Sequence, residues 1–69
     1  MRPVEIEMQK AILNKAYAIR QHLIAISHAR DLLQINGQPE EYYTWHERTI
    51  ELNEQAIKKI RADPETSWN

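Results

Sequence analysis

The run from Tyr42 to His46 places three aromatic rings and an imidazole within little more than one helical turn. If the chain folds back on itself, Arg30 comes to lie opposite this run. A guanidinium and stacked rings beside the positive end of a helix would hold a planar anion such as a nucleotide. The first candidate ligand-binding residues are therefore Arg30, Tyr42, Trp45 and His46. The simpler interpretation is structural: Arg30 stacks on a ring, and the rings close the turn end of the core.

Lys15 and His22 form a second candidate anion site, because residues seven apart lie on the same side of a helix. No acidic residue occurs between Met8 and Arg30, so this stretch is locally basic. In an oligomer, this face would accept a small anion or meet an acidic helix of another subunit. The simpler interpretation has Lys15 extending over neighbouring alanines into solvent.

The remaining reactive side chains indicate neither catalysis nor a metal site. His22 and His28 are six residues apart and point to different sides of a helix, and no H-E-x-x-H pattern occurs. The absence of cysteine excludes thiolate zinc sites and cysteine nucleophiles. The single glycine excludes a glycine-rich phosphate loop. The sequence therefore predicts a protein that is not an enzyme and uses no metal or cofactor.

Length and charge restrict the function further. The 69 residues provide one domain with a small core, which a partner subunit would stabilise. The net charge of −1 disfavours a strongly basic nucleic-acid binder. No apolar run approaches the ~18 residues of a membrane span, and no signal peptide opens the chain. We therefore expect a cytoplasmic protein that does not enter a membrane.

Glycine and proline divide the chain into two helices. Gly37 is typical of a left-handed helix end, Pro39 of a first helical turn, and Pro64 of a stop. The predicted elements of this single helical-hairpin domain (1–69) are a helix over about 4–36, a turn at 36–39, a helix over about 39–62 and a tail at 63–69. The short turn makes the helices antiparallel and sets Leu23 opposite Leu52. The fold class is all-α, an antiparallel two-helix hairpin that self-associates into a helical bundle.

Apolar residues follow three stripes along the first helix, spaced at 100° per residue. The first stripe, which we expect to face the second helix, comprises Met8, Ile12, Ala16, Ile19, Leu23, Ile26 and Leu33. The second stripe comprises Ile6, Leu13, Tyr17, Ile24 and Ile35. The alanine stripe comprises Val4, Ala11, Ala18, Ala25 and Leu32, flanked by Lys15, His22 and Ala29. One partner helix cannot cover all three, so self-association is expected. The predicted oligomer or partner interface is Ile6, Leu13, Tyr17, Ala18, Ile24, Ala25 and Leu32.

In size and layout the hairpin resembles plasmid-encoded RNA-binding hairpins that dimerise into four-helix bundles. It also resembles small phage-encoded hairpins that oligomerise and sequester nucleotide signals. Neither resemblance identifies a motif residue. The favoured function is a non-enzymatic oligomeric protein-binding module or inhibitor, in the style of a phage or mobile-element accessory protein. The alternatives are an oligomeric sponge for a nucleotide-like anion at subunit boundaries, and a small RNA- or DNA-binding bundle using Lys10, Lys15, Arg20 and Arg30.

Overall fold

Two antiparallel helices account for most of the chain. The computed structural model describes residues 3–68, which form α1 (Pro3–Leu33), α2 (Glu40–Ala62) and a short 3₁₀ helix, η1 (Glu65–Trp68). The helices pack along each other in an elongated body whose Cα atoms extend over 57 × 17 × 10 Å. The predicted all-α helical hairpin is confirmed. The predicted tail contains η1, and its final residue, Asn69, lies outside the described residues.

The turn between the helices contains the left-handed glycine that the sequence predicts. Gly37 has a φ of 84°, a conformation that glycine adopts without steric cost. However, α1 ends at Leu33, about three residues before the predicted end. The amides of Gln34 and Ile35 bond instead to carbonyls three residues back, which tightens the chain out of the α-helical path. Pro39 caps α2 with a φ of −54° and a ψ of 142°, just before its first helical residue.

The alanine stripe is the face of α1 that packs against α2. Ala11 and Ala29 are buried, and Ala18 and Ala25 are half-buried. Small side chains let two helix axes approach closely, and Ile57 and Ile60 are the buried residues that α2 contributes. The side chain of Val4, which the sequence places in this stripe, lies outside the described part of the chain.

The prediction that the first stripe faces α2 is wrong for most of its residues. Met8, Ile12 and Leu23 are 42%, 51% and 49% exposed. Of the stripe, Ile26 is buried, and Ile19 and Leu33 are half-buried. Leu52, which the sequence sets opposite Leu23 of this stripe, is also exposed.

The predicted register of the two helices agrees with the structure. The Nδ1 atom of His22 lies 2.7 Å from Oδ1 of Asn53. This pair is next to Leu23 and Leu52 in the same antiparallel register. Because α1 has 31 residues and α2 has 23, the first turns of α1 extend beyond α2. The helix η1 packs on α1, and Nδ2 of Asn14 donates a 2.7 Å hydrogen bond to the Trp68 carbonyl.

Candidate functional site

Three side chains fasten the turn end of the hairpin, and we call Gln38, Tyr43 and His46 the turn cluster. Gln38 Nε2 donates to the carbonyls of Leu32 and Ile35, at 2.6 and 2.8 Å, at the C-terminal end of α1. The Tyr43 hydroxyl donates to the same Ile35 carbonyl at 2.9 Å. The turn cluster therefore joins the end of α1 to the first turns of α2.

His46 belongs to the turn cluster rather than to an open ligand site. Its Nε2 atom lies 2.9 Å from Oε1 of Gln38. Because Nε2 of Gln38 donates to two carbonyls, its Oε1 must accept, so His46 carries a hydrogen on Nε2. The imidazole is half-buried and orients the glutamine. Its predicted role in binding an anion competes with this structural role.

Lys15 stabilises the C-terminal end of α2. Its ammonium donates to the carbonyls of Asp63, at 2.5 Å, and Arg61, at 3.4 Å. It also lies 3.7 Å from a carboxylate oxygen of Glu65, and its side chain is 12% exposed. A cation is favourable at the negative end of a helix. The predicted extension of Lys15 into solvent does not occur, and its ammonium is occupied within the hairpin.

His22 is likewise used inside the hairpin. Nδ2 of Asn53 donates to the Thr49 carbonyl at 2.7 Å, so the Asn53 oxygen must accept and Nδ1 of His22 donates. This polar pair lies part-buried between the helices. The structure thus brings Lys15 and His22 to α2 of their own chain. Helical periodicity indicates the side of α1 on which Lys15 and His22 lie, but it does not indicate which residues of the opposite helix end or of α2 they contact.

The structure separates Arg30 from the aromatic residues. Tyr42 and Trp45 stack with centroids 5.0 Å apart and an interplanar angle of 26°, and Trp45 is 60% exposed. Arg30 instead lies 3.6 Å from a carboxylate oxygen of Glu54. Glu54 and Trp45 are nine residues apart in α2, which places them on opposite sides of that helix. The predicted encounter between Arg30 and the rings is therefore wrong.

Arg30 instead belongs to an open groove of about 310 Å³ along one side of the helix pair. We call it the basic groove; its lining is Leu23, Ile26, Arg30, Glu54, Ile57, Lys58 and Arg61. Three cations and one carboxylate surround an apolar floor, and Lys58 and Arg61 have no ion-pair partner among residues 3–68. The sequence analysis missed this groove. The feature of the sequence that could have indicated the groove is the spacing of Glu54, Lys58 and Arg61, four and three residues apart in α2. Only the observed rotation of α1 places these residues beside Leu23.

The second stripe lies on the side of α1 turned away from α2. It is about 160° around the helix from the mean direction of Ala11, Ile26 and Ala29, the buried residues of α1, at 100° per residue. All five of its side chains are exposed, from 40% for Ile6 to 68% for Leu13. The predicted interface set thus divides, since Ala18, Ala25 and Leu32 are half-buried on the side of the hairpin contact. The remaining members of the set, Ile6, Leu13, Tyr17 and Ile24, are exposed and lie on one side of α1.

Comparisons with known proteins add no relatives: no family model, curated protein or solved structure matches this chain. Within residues 3–68, no three histidine, aspartate or glutamate side chains converge in a way that would hold a metal ion. Neither α1 nor α2 contains an apolar stretch that would cross a membrane. The candidate surfaces of the described chain are therefore the second stripe, the basic groove and the exposed Tyr42–Trp45 pair.

Proposed function

We propose that this chain is a non-enzymatic protein-binding module that works as a homo-oligomer. The observation that carries the proposal is that α2 covers the alanine stripe of α1 and leaves the large apolar side chains exposed. An apolar surface that continues along a whole helix is typical of a protein interaction site. The second stripe and the basic groove lie on different sides of the hairpin. One surface can therefore join copies of the chain while the other binds a partner protein.

The basic groove is the surface that we assign to the partner protein. Its apolar floor of Leu23, Ile26 and Ile57 fits one face of a helix or an extended segment. Its rim carries an excess of two positive charges, from three cations and one carboxylate. Charge complementarity therefore favours an acidic amphipathic segment as the bound element.

A matched pair of double variants tests the groove. Leu23→Gln with Lys58→Glu removes apolar floor and reverses a rim charge, so the chain used as bait should lose its captured partner. Leu52→Gln with Lys59→Glu makes the same change outside the groove, at a leucine of equal exposure (52% against 49%), and should capture normally. Equal capture by both variants, with helicity intact, would contradict the assignment.

The charge of the basic groove also supports a second candidate function, the sequestration of a nucleotide-like anion. Arg30, Lys58 and Arg61 would contact the phosphates, while the exposed Tyr42–Trp45 stack lies outside the groove and would not respond. Native mass spectrometry of protein purified without added ligand should then show extra mass that Arg30→Ala removes. A clean chain mass, with no change on adding nucleotides, would count against this function. Nothing in the arrangement of Lys10, Arg20 and Arg30 favours binding to nucleic acid.

A further inference from the structure

We infer that the second stripe binds the second stripe of another copy of this chain, with the two α1 helices antiparallel. In this arrangement Lys10 of each copy faces Asp31 of the other. The inference rests on the homo-oligomer part of the proposed function and specifies its contact surface, direction and register. It follows from the position of Asp31, which is exposed and lies within the second stripe.

The second stripe has the spacing of a continuous helix–helix contact. Leu13, Ile24 and Ile35 are eleven residues apart, and so are Ile6 and Tyr17. Eleven residues are close to three full turns, so both rows run almost straight along α1, and Ile35 follows two residues beyond the end of the helix. The four stripe residues within α1, from Ile6 to Ile24, span about 27 Å at 1.5 Å per residue, and Ile35 continues the stripe past the helix end.

Full overlap of two antiparallel stripes fixes the register. Ile6 of one copy must lie opposite Ile35 of the other, and Tyr17 must then lie opposite Ile24. The same register places Lys10 opposite Asp31, twice, by the two-fold symmetry of the pair. The apolar overlap alone selects this register, so the match of opposite charges is an independent observation. Arg20 lies at the stripe edge near the two-fold axis, where its long side chain extends into solvent.

Charge also selects the direction of the helices. Asp31 is the only acidic residue between Glu7 and Glu40, and it sits in the apolar stripe between Ile24 and Ile35. Neither Lys10 nor Asp31 has an ion-pair partner among the described residues. A parallel pair in register would set Asp31 against Asp31 and Lys10 against Lys10. The antiparallel pair replaces both repulsions with attractions.

Charge reversal in one chain tests the inference. Lys10→Asp and Asp31→Lys should each weaken the dimer by about tenfold, and the double variant should return within about threefold of the original chain. Within one chain these residues are about 31 Å apart along α1, so such coupling can arise only between copies. Dissociation constants from sedimentation at low salt provide the measurement. Glu41→Lys and Lys59→Glu, both exposed on α2, form the control pair and should not couple.

Each outcome decides a separate point. Restored affinity in the double variant supports the antiparallel register. A dimer with additive or absent effects of the two reversals would overturn the register but leave the proposed function standing. A chain that stays monomeric at every concentration would overturn both this inference and the homo-oligomer part of the proposed function, whereas capture by the basic groove would remain independently testable.

Discussion

At the residue scale, the polar side chains nearest the helix contact act on backbone ends. Lys15 binds the carbonyls of Arg61 and Asp63 at the C-terminal end of α2, and Gln38 binds the carbonyls of Leu32 and Ile35 at the C-terminal end of α1. Backbone groups at helix ends have no partner within the helix, so side chains that reach them stabilise the fold. This use competes with the anion-binding role that the surroundings of Lys15 in the sequence predict.

Removing the charge of Lys15 should therefore lower stability. Lys15→Met keeps the apolar stem but leaves the carbonyls of Arg61 and Asp63 without the ammonium. We expect the free energy of unfolding to fall by about 1–2 kcal/mol, because hydrogen bonds to charged groups contribute more than neutral ones. Urea unfolding followed by circular dichroism measures this change. The control, Lys10→Met, alters an exposed lysine with no ion-pair partner in the described chain and should leave the midpoint unchanged at concentrations where the chain is monomeric. Equal midpoints for both variants would refute the role of Lys15.

Trp68 should tolerate replacement by phenylalanine. Its indole Nε1 is buried and has no hydrogen-bond partner among the described residues. A buried unpartnered donor costs about 1–3 kcal/mol, which offsets the packing area that the smaller ring loses. We expect Trp68→Phe to leave the melting temperature unchanged or slightly raised. A clear decrease would show that the indole N–H has a partner in solution.

At the element scale, the positions of glycine and proline predict where the helices end, but they do not predict which face of each helix is buried. Gly37, Pro39 and Pro64 mark the ends of the helices in the sequence, and the structure places the ends within a few residues of them. The choice of face depends on which stripe α2 covers. Hydrophobic periodicity weights large apolar side chains, so it predicts that the first stripe faces α2. Close packing of the two helices instead favours the face with small side chains, which is the alanine stripe.

The polar partners were equally hidden from the sequence. His22 is favourable in the helix contact because its Nδ1 atom is hydrogen-bonded to Oδ1 of Asn53 on α2. The predicted contact between Arg30 and the aromatic rings is wrong for a related reason. Both helices are rotated relative to the prediction, so Arg30 lies beside Glu54 and Trp45 is exposed. The predicted interface thus combined residues of the second stripe with alanine-stripe residues on the side of the hairpin contact. Sequence analysis could not locate the basic groove, which needs residues from both helices.

The left-handed turn residue provides a test at this scale. Gly37→Ala should destabilise the hairpin by about 1 kcal/mol, because a φ of 84° is unfavourable for residues with a Cβ. No atom lies within 4 Å of the added Cβ, so the cost is one of backbone conformation alone. Gly37→Asn should cost less, since asparagine tolerates this region better. Equal midpoints for the alanine and asparagine variants in urea unfolding would contradict this explanation.

At the scale of the whole molecule, the hairpin buries few apolar side chains by itself. Only five apolar residues of the described chain are buried: Ala11, Ile26, Ala29, Ile57 and Ile60. Small domains of this kind usually gain stability from a partner subunit when they lack disulfides and metals. Association through the second stripe would bury five further apolar side chains, so folding and assembly should be coupled. We expect the melting temperature to rise with protein concentration over the range in which the dimer forms.

The mass of the assembly in solution is the most direct test of the account. We predict that sedimentation equilibrium shows a dimer for the original chain and a folded monomer for the triple variant Leu13→Gln, Tyr17→Gln, Ile24→Gln. The matched control, Met8→Gln, Ile12→Gln, Leu23→Gln, removes three exposed apolar side chains from the first stripe of the same helix and should remain dimeric. A monomeric original chain, or a triple variant of the second stripe that still dimerises, would contradict the central claim.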